Sequence, residues 1–152
     1  MSDTNVSDGS ARGDNLRTDG ARLWDSLMEM AKIGATEKGG VCRLALTDLD
    51  RESRDLFARW CEEAGCTISV DKMGNMFARR PGRNNDLPPI MTGSHLDSQP
   101  TGGKYDGVYG VLAGLEVVRT LNDLKIETEA PIEVAVWTNE EGSRFAPAMV
   151  AS

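Results

Sequence analysis

Three short strings hold the side chains capable of chemistry: Gly93-Ser94-His95-Leu96-Asp97, Gly102-Gly103-Lys104-Tyr105-Asp106-Gly107 and Thr138-Asn139-Glu140-Glu141-Gly142-Ser143-Arg144-Phe145. They place one imidazole and several carboxylates at three turn-like points, each beside a segment that reads as a strand or a helix end. Dispersed metal ligands are usually supplied this way, and such donors suit a divalent ion that polarises a carbonyl and activates water. The set amounts to most of one half of a binuclear centre, because His95 is the only histidine in the chain.

The residues differ in how much they say alone. A lone His is more often a hydrogen-bonded structural residue than a ligand, and His95 gains weight from the strings downstream of it. If the backbone stays extended at His95, Asp97 points to the same side two residues on and can accept the second ring N–H, fixing the tautomer. Asp106 lies in a glycine-rich loop at the start of a predicted helix, where its carboxylate either caps the helix or approaches an ion. Glu140 and Glu141 are adjacent acids that repel unless something positive sits beside them. On extended backbone their side chains point apart, so one can ligate while the other takes a proton from water.

These residues need a frame, and the chain is long enough to build one. Its 152 residues fit one domain, with 39% apolar residues to form a core. Acidic residues outnumber basic ones, 24 to 17, for a formal charge of −7, which excludes a nucleic-acid partner on charge grounds. Cys42, Cys61 and Cys66 are odd in number and lack metal-binding spacing, so they read as free thiols in a reducing cytoplasm. No apolar run reaches membrane-spanning length and no secretion signal opens the chain. The expected location is cytoplasmic.

Residues 1–17 are too polar to offset their ordering entropy and read as a disordered tail. A helix is predicted from Thr18 or Asp19 to Gly34, and a second from Thr47 or Asp48 to about Ala64, its apolar stripe made of Leu49, Leu56, Phe57, Trp60 and Cys61. The Arg, Glu and Asp on its other face read as solvated. Cys66 to Val70 and Asn75 to Arg80 read as a hairpin, Pro89 to Thr92 as a third strand, and Ile132 to Trp137 as a fourth. Between the last two, apolar residues from Val108 to Leu121 recur at three- and four-residue spacing and predict a helix over 107–122. This order is that of an α/β domain with a mixed sheet. In such sheets ligands gather beyond the carboxyl ends of strands, so the His95 and Glu140 strings can meet.

The strings GSHLDSQPTGGKYDGVYGVLAGLE and VWTNEEGSRFAPAM, preceded by GGVCRLALTDLDRESRD and DKMGNMFARRPG, resemble the N-carbamoyl-L-amino-acid hydrolase, β-ureidopropionase and allantoate amidohydrolase family. That family lies within the superfamily of zinc aminoacylases and carboxypeptidases. The likeness runs from around Leu16 to Ser152. It implies an α/β sandwich catalytic domain carrying two divalent ions, zinc or else manganese or cobalt. It also implies His95 as ligand of one ion, Asp106 as the bridging ligand, Glu141 as ligand of the other, Glu140 as general base, and Asp97 behind the ligands.

The same resemblance places two more histidine ligands, the substrate-reading residues and a lid domain used for dimerisation beyond Ser152. Residues 18–152 are therefore expected to be the N-terminal part of a catalytic domain, without its lid and inactive alone, and a homodimer when complete. The implied substrate is a small ureido compound, first an N-carbamoyl-L-amino acid or N-carbamoyl-β-alanine, with allantoate as the alternative. A dipeptidase or aminoacylase is disfavoured, because Tyr105-Asp106-Gly107-Val108 stands where those enzymes carry an Asp-Asp-Lys-Gly-like string.

Overall fold

The computed structural model describes residues 16–149 and residue 151. Residues 1–15 of the expected tail lie outside the described residues, and Leu16 and Arg17 carry no regular structure.

Helix α1 spans Gly20–Met30, with Asp19 as N-cap accepting from the amides of Ala21 and Arg22. It stops one turn before Gly34, which sits beyond it at φ +72° in a run of turns. Helix α2 spans Asp48–Glu63, capped by the Thr47 hydroxyl and closed by Gly65 at φ +82°. Its buried face differs from the predicted stripe: Phe57 and Cys61 are buried, but Leu49 is exposed and Asp50 and Ser53 are buried in its place. Helix α3 spans Val108–Asp123 and buries Val108, Val111, Leu112, Leu115, Val118 and Leu121, as its periodicity requires.

The four strands are β1 (Thr67–Val70), β2 (Met76–Arg80), β3 (Ile90–His95) and β4 (Ile132–Trp137). They form one sheet of order β1-β2-β4-β3. β1 and β2 make the hairpin, β2 pairs antiparallel with β4, and β3 runs parallel to β4. β3 extends three residues past the predicted end at Thr92, because Gly93, Ser94 and His95 pair with Ala135, Val136 and Trp137. Gly93 makes this pairing possible, since a Cβ there would lie 2.2 Å from the Ala135 carbonyl oxygen.

One face of the sheet supplies Met76, Ala78, Val134 and Val136 to a single core shared with Leu27, Met30, Phe57, Leu112 and Leu115 of the three helices. The other face carries Phe77 and Trp137 in edge-to-face contact, ring centroids 5.8 Å apart. α1 is pinned to α3 by a buried carboxylate: Glu116 accepts from Arg22 Nε at 2.9 Å, Arg22 Nη2 at 2.8 Å and the Asp19 amide at 3.1 Å. Among the described residues no helix is long and apolar enough to cross a membrane.

Candidate active site

Because β3 and β4 are parallel neighbours, they deliver their motifs to the same edge of the sheet. His95 ends β3 opposite Trp137, the last residue of β4. Beyond β3 the chain turns through Leu96 to Asp97, and beyond β4 through Thr138 and Asn139 to the two acids.

His95 is 5% exposed. Its Nδ1 lies 2.9 Å from the Asp97 carbonyl oxygen. That oxygen only accepts, which assigns the ring proton to Nδ1. In the neutral ring Nε2 is then a lone pair, and it faces Glu140 Oε2 at 3.2 Å. Two acceptors at that separation repel unless a proton or a cation lies between them. The donor chemistry here, an imidazole nitrogen against a carboxylate, is that of a divalent-metal site.

Asp97, 3% exposed, behaves differently from the expectation. Its backbone, not its carboxylate, takes the ring proton, and Oδ1 stays 3.7 Å from Nδ1. The carboxylate instead accepts from the Glu140 amide at 3.3 Å and the Glu141 amide at 3.2 Å. Burial pushes the Asp97 carboxyl above the usual carboxylate range, opposed by the two amides and by His95. One buried acid thereby joins the two strand ends and sets where both glutamates begin.

The acid turn is held from its other side by residues that sequence reasoning missed. Asn75, 4% exposed, accepts from the Thr138 amide at 2.9 Å and donates to Asp71 and to the Ala151 carbonyl. Arg54 donates to the Thr138 hydroxyl at 2.6 Å and to the Gly74 carbonyl at 2.9 Å. Asn139 adopts φ +57°, a left-handed conformation asparagine tolerates, and donates to the Phe145 carbonyl at 2.8 Å. Residues after the acids fold back, with the Met149 amide on the Glu140 carbonyl at 2.9 Å. Asn139 stood inside the quoted string and could have been singled out, whereas Arg54 looked like one more charge on a solvated helix.

Asp106 is exposed and its carboxylate makes no hydrogen bond or ion pair among the described residues. It does not cap α3: Gly107 holds that position without a side-chain bond. The Val108 amide donates to the Asp106 carbonyl at 2.7 Å around Gly107 at φ +68°, ψ −51°, a tight three-residue turn with positive φ. This turn presses Gly107 against the His95 ring at Cε1 and Nδ1, so the Asp106 loop abuts the imidazole. Glu141 turns away from His95 and accepts from Gln99 Nε2 at 2.9 Å. The structure thus gathers His95, Asp97 and Glu140, flanked by Asp106 and Glu141. Among the described residues no group of three or more His, Cys, Asp or Glu is arranged to hold a metal ion.

Residues 91–152 match the peptidase family M20/M25/M40. Over 143 residues the chain is 64% identical to an N-carbamoyl-L-amino-acid amidohydrolase of Rhizobium meliloti, covering 94% of this chain and 34% of that protein. A ureidoglycolate hydrolase of Arabidopsis thaliana is 33% identical over 131 residues, 86% of this chain and 28% of its own length. The crystal structure of a hydantoinase/carbamoylase family amidase from Burkholderia ambifaria superposes with a TM-score of 0.90 at 66% identity, over 91% of this chain and 34% of that one. The chain spans about a third of the length of the curated relatives it matches. Through residues 91–152 the chain is thus similar to the peptidase M20/M25/M40 family, and in sequence and fold it is similar to N-carbamoyl-L-amino-acid amidohydrolases and hydantoinase/carbamoylase family amidases.

Proposed function

We propose that the protein carrying this chain is a metal-dependent hydrolase of linear, non-peptide C–N bonds, acting on N-carbamoyl-L-amino acids. The observation that carries this reading is the His95 lone pair facing the Glu140 carboxylate, with both acid residues hung from Asp97. The substrate follows the identity to carbamoyl-amino-acid amidohydrolases, and allantoate is the alternative within the same chemistry. A cytoplasmic homodimer, with residues 18–152 as part of its catalytic domain, belongs to the proposal and rests on the resemblance.

His95, Asp106 and Glu141 would contribute to holding two divalent ions, zinc or else manganese or cobalt. When bound, the ions supply Lewis acidity to a ureido carbonyl and to water. Glu140 takes a proton from the attacking water, whose oxygen forms a bond to the ureido carbon. The C–N bond then breaks, Glu140 returns the proton to the departing nitrogen, and ammonia leaves. The remaining carbamic acid loses carbon dioxide to give the amino acid. Asp97 fixes the backbone from which Glu140 reaches the water, and its carbonyl holds the His95 tautomer.

One observation favours exchanged roles for the acids, since Glu140 rather than Glu141 faces His95 Nε2. Glu140 would then be the ligand and Glu141 the base. Both readings are tested in the complete protein, stripped of metal and reloaded with zinc, manganese or cobalt in turn. Ammonia release is compared for N-carbamoyl-L-amino acids, N-carbamoyl-β-alanine, allantoate and an L-dipeptide. Under the first reading Glu140→Gln keeps its metal and loses about 10² to 10⁴ in kcat, whereas Glu141→Gln loses metal. The reverse pattern establishes the exchanged roles, and turnover of the dipeptide alone overturns the proposed function.

A further inference from the structure

Arg43 is fully buried, an expensive place for a guanidinium unless its donors are matched. Its stem passes beneath Gly34, where a Cβ would come within 3.0 Å of the arginine Cγ. Nη1 donates to the Ile33 carbonyl at 2.9 Å and the Met30 carbonyl at 3.4 Å, closing the end of α1. Nε donates to the Leu96 carbonyl at 3.0 Å. The Arg43 amide donates to Ser98 Oγ at 2.8 Å, and the Ser98 amide donates to the Arg43 carbonyl at 2.8 Å. Leu96 and Ser98 are the two neighbours of Asp97.

We propose that Arg43 is a positioning residue for the site, its guanidinium holding Leu96 beside the backbone bonds that fix Ser98, so that the Asp97 carboxylate between them meets the Glu140 and Glu141 amides. The inference rests on the proposed function for its activity readout. The route is continuous: Arg43 to Leu96 and Ser98, through Asp97, to the two acids and the His95 ring. The charge acts in the same direction. Burial lowers the Arg43 pKa, while Asp50 and Asp97 oppose that by favouring the cation. Nη2 is buried without a hydrogen-bond partner. A role limited to capping α1 explains Nη1 and leaves the side-chain bond from Nε to the Leu96 carbonyl unused.

The test is a double-mutant cycle in the complete, metal-loaded protein, scored on kcat and KM separately. Arg43→Met and Asp97→Asn should each lower kcat by about 10 to 100-fold, with KM changing by less than about 3-fold. If Arg43 acts through Asp97, adding Arg43→Met to Asp97→Asn should cost less than about 3-fold more. Leu27→Ala, a core variant remote from the site, should lose stability and keep kcat within about 2-fold. Should Arg43→Met not fold, Arg43→Lys runs the same cycle, keeping a cation without the guanidinium fork.

Additive losses, or an equal kcat loss in Leu27→Ala, would overturn the proposal. A parent protein inactive on every ureido substrate sinks the proposed function instead. The cycle is then read on the rise in unfolding temperature caused by zinc. Non-additive loss of that rise supports the clamp, and additive loss refutes it.

Discussion

Replacing Gly107 by alanine should damage the site and the fold together, and the structure allows the damage to be divided. Gly107 holds φ +68°, ψ −51° in the tight turn between Asp106 and Val108. A side chain in so sparsely populated a backbone region costs about 1–3 kcal/mol. The added Cβ would also lie 2.5 Å from His95 Cε1, 2.5 Å from the His95 carbonyl oxygen and 2.6 Å from Nδ1. The neighbour is a buried ring bonded to Asp97, so it cannot swing aside, and overpacking adds about 1–3 kcal/mol more. The expected loss is about 2–6 kcal/mol.

Two controls separate the terms. Gly39 has φ +81° with nothing within 4 Å of its Cβ position, so Gly39→Ala should show only the left-handed cost of about 1–2 kcal/mol. Gly103, in the same loop as Gly107, has open space and no positive φ, and Gly103→Ala should stay within about 0.5 kcal/mol of the parent. Urea unfolding of the four proteins measures the series, and metal titration follows the displaced His95. Gly107→Ala at parental stability, or no costlier than Gly39→Ala, would refute the packing of this loop against the imidazole.

Three further outcomes follow from the contacts around the site and in the core. Asn75→Ala removes the acceptor of the buried Thr138 amide and should destabilise by about 1–3 kcal/mol in urea unfolding; no change would show that water reaches that amide. Asp97→Asn should weaken metal binding about 10 to 100-fold in a competition titration, and an unchanged affinity would detach Asp97 from the ligands. Burial pushes the Cys61 and Cys66 thiols up, so the folded chain keeps protons that the unfolded chain releases above about pH 8.5. Stability is then complete below that pH and falls as pH rises above it, by up to about 1.4 kcal/mol per unit for each thiol. Unfolding midpoints from pH 8 to 10 should show this fall, and Cys61→Ala should flatten it; equal slopes in parent and variant would exclude the thiols as its cause.

What the sequence determined alone was whatever depends on near neighbours. The three- and four-residue recurrence from Val108 to Leu121 is α3, the β-branched run from Ile132 to Trp137 is β4, and Thr47 is the cap of α2. The same locality made the strand ends legible as places where His95 and Glu140 could meet, and the parallel pairing of β3 with β4 brings them together. Tertiary structure decided the rest, because the groups concerned are partnered across the chain. β3 runs on through Gly93 and Ser94, which are weak strand formers, because β4 supplies the missing hydrogen bonds. Asp50 lies on the helix whose charges read as solvated yet is buried, as are Arg43 and Glu116, and the bonds of Arg43 and Glu116 reach residues 53 and 94 positions away. Asp97 was expected to hold His95 with its carboxylate, but the nearby acid turn offers two amides that need an acceptor, 43 and 44 residues along the chain. Local periodicity carries no information about such partners, since a buried polar group is satisfied by whatever the fold brings beside it.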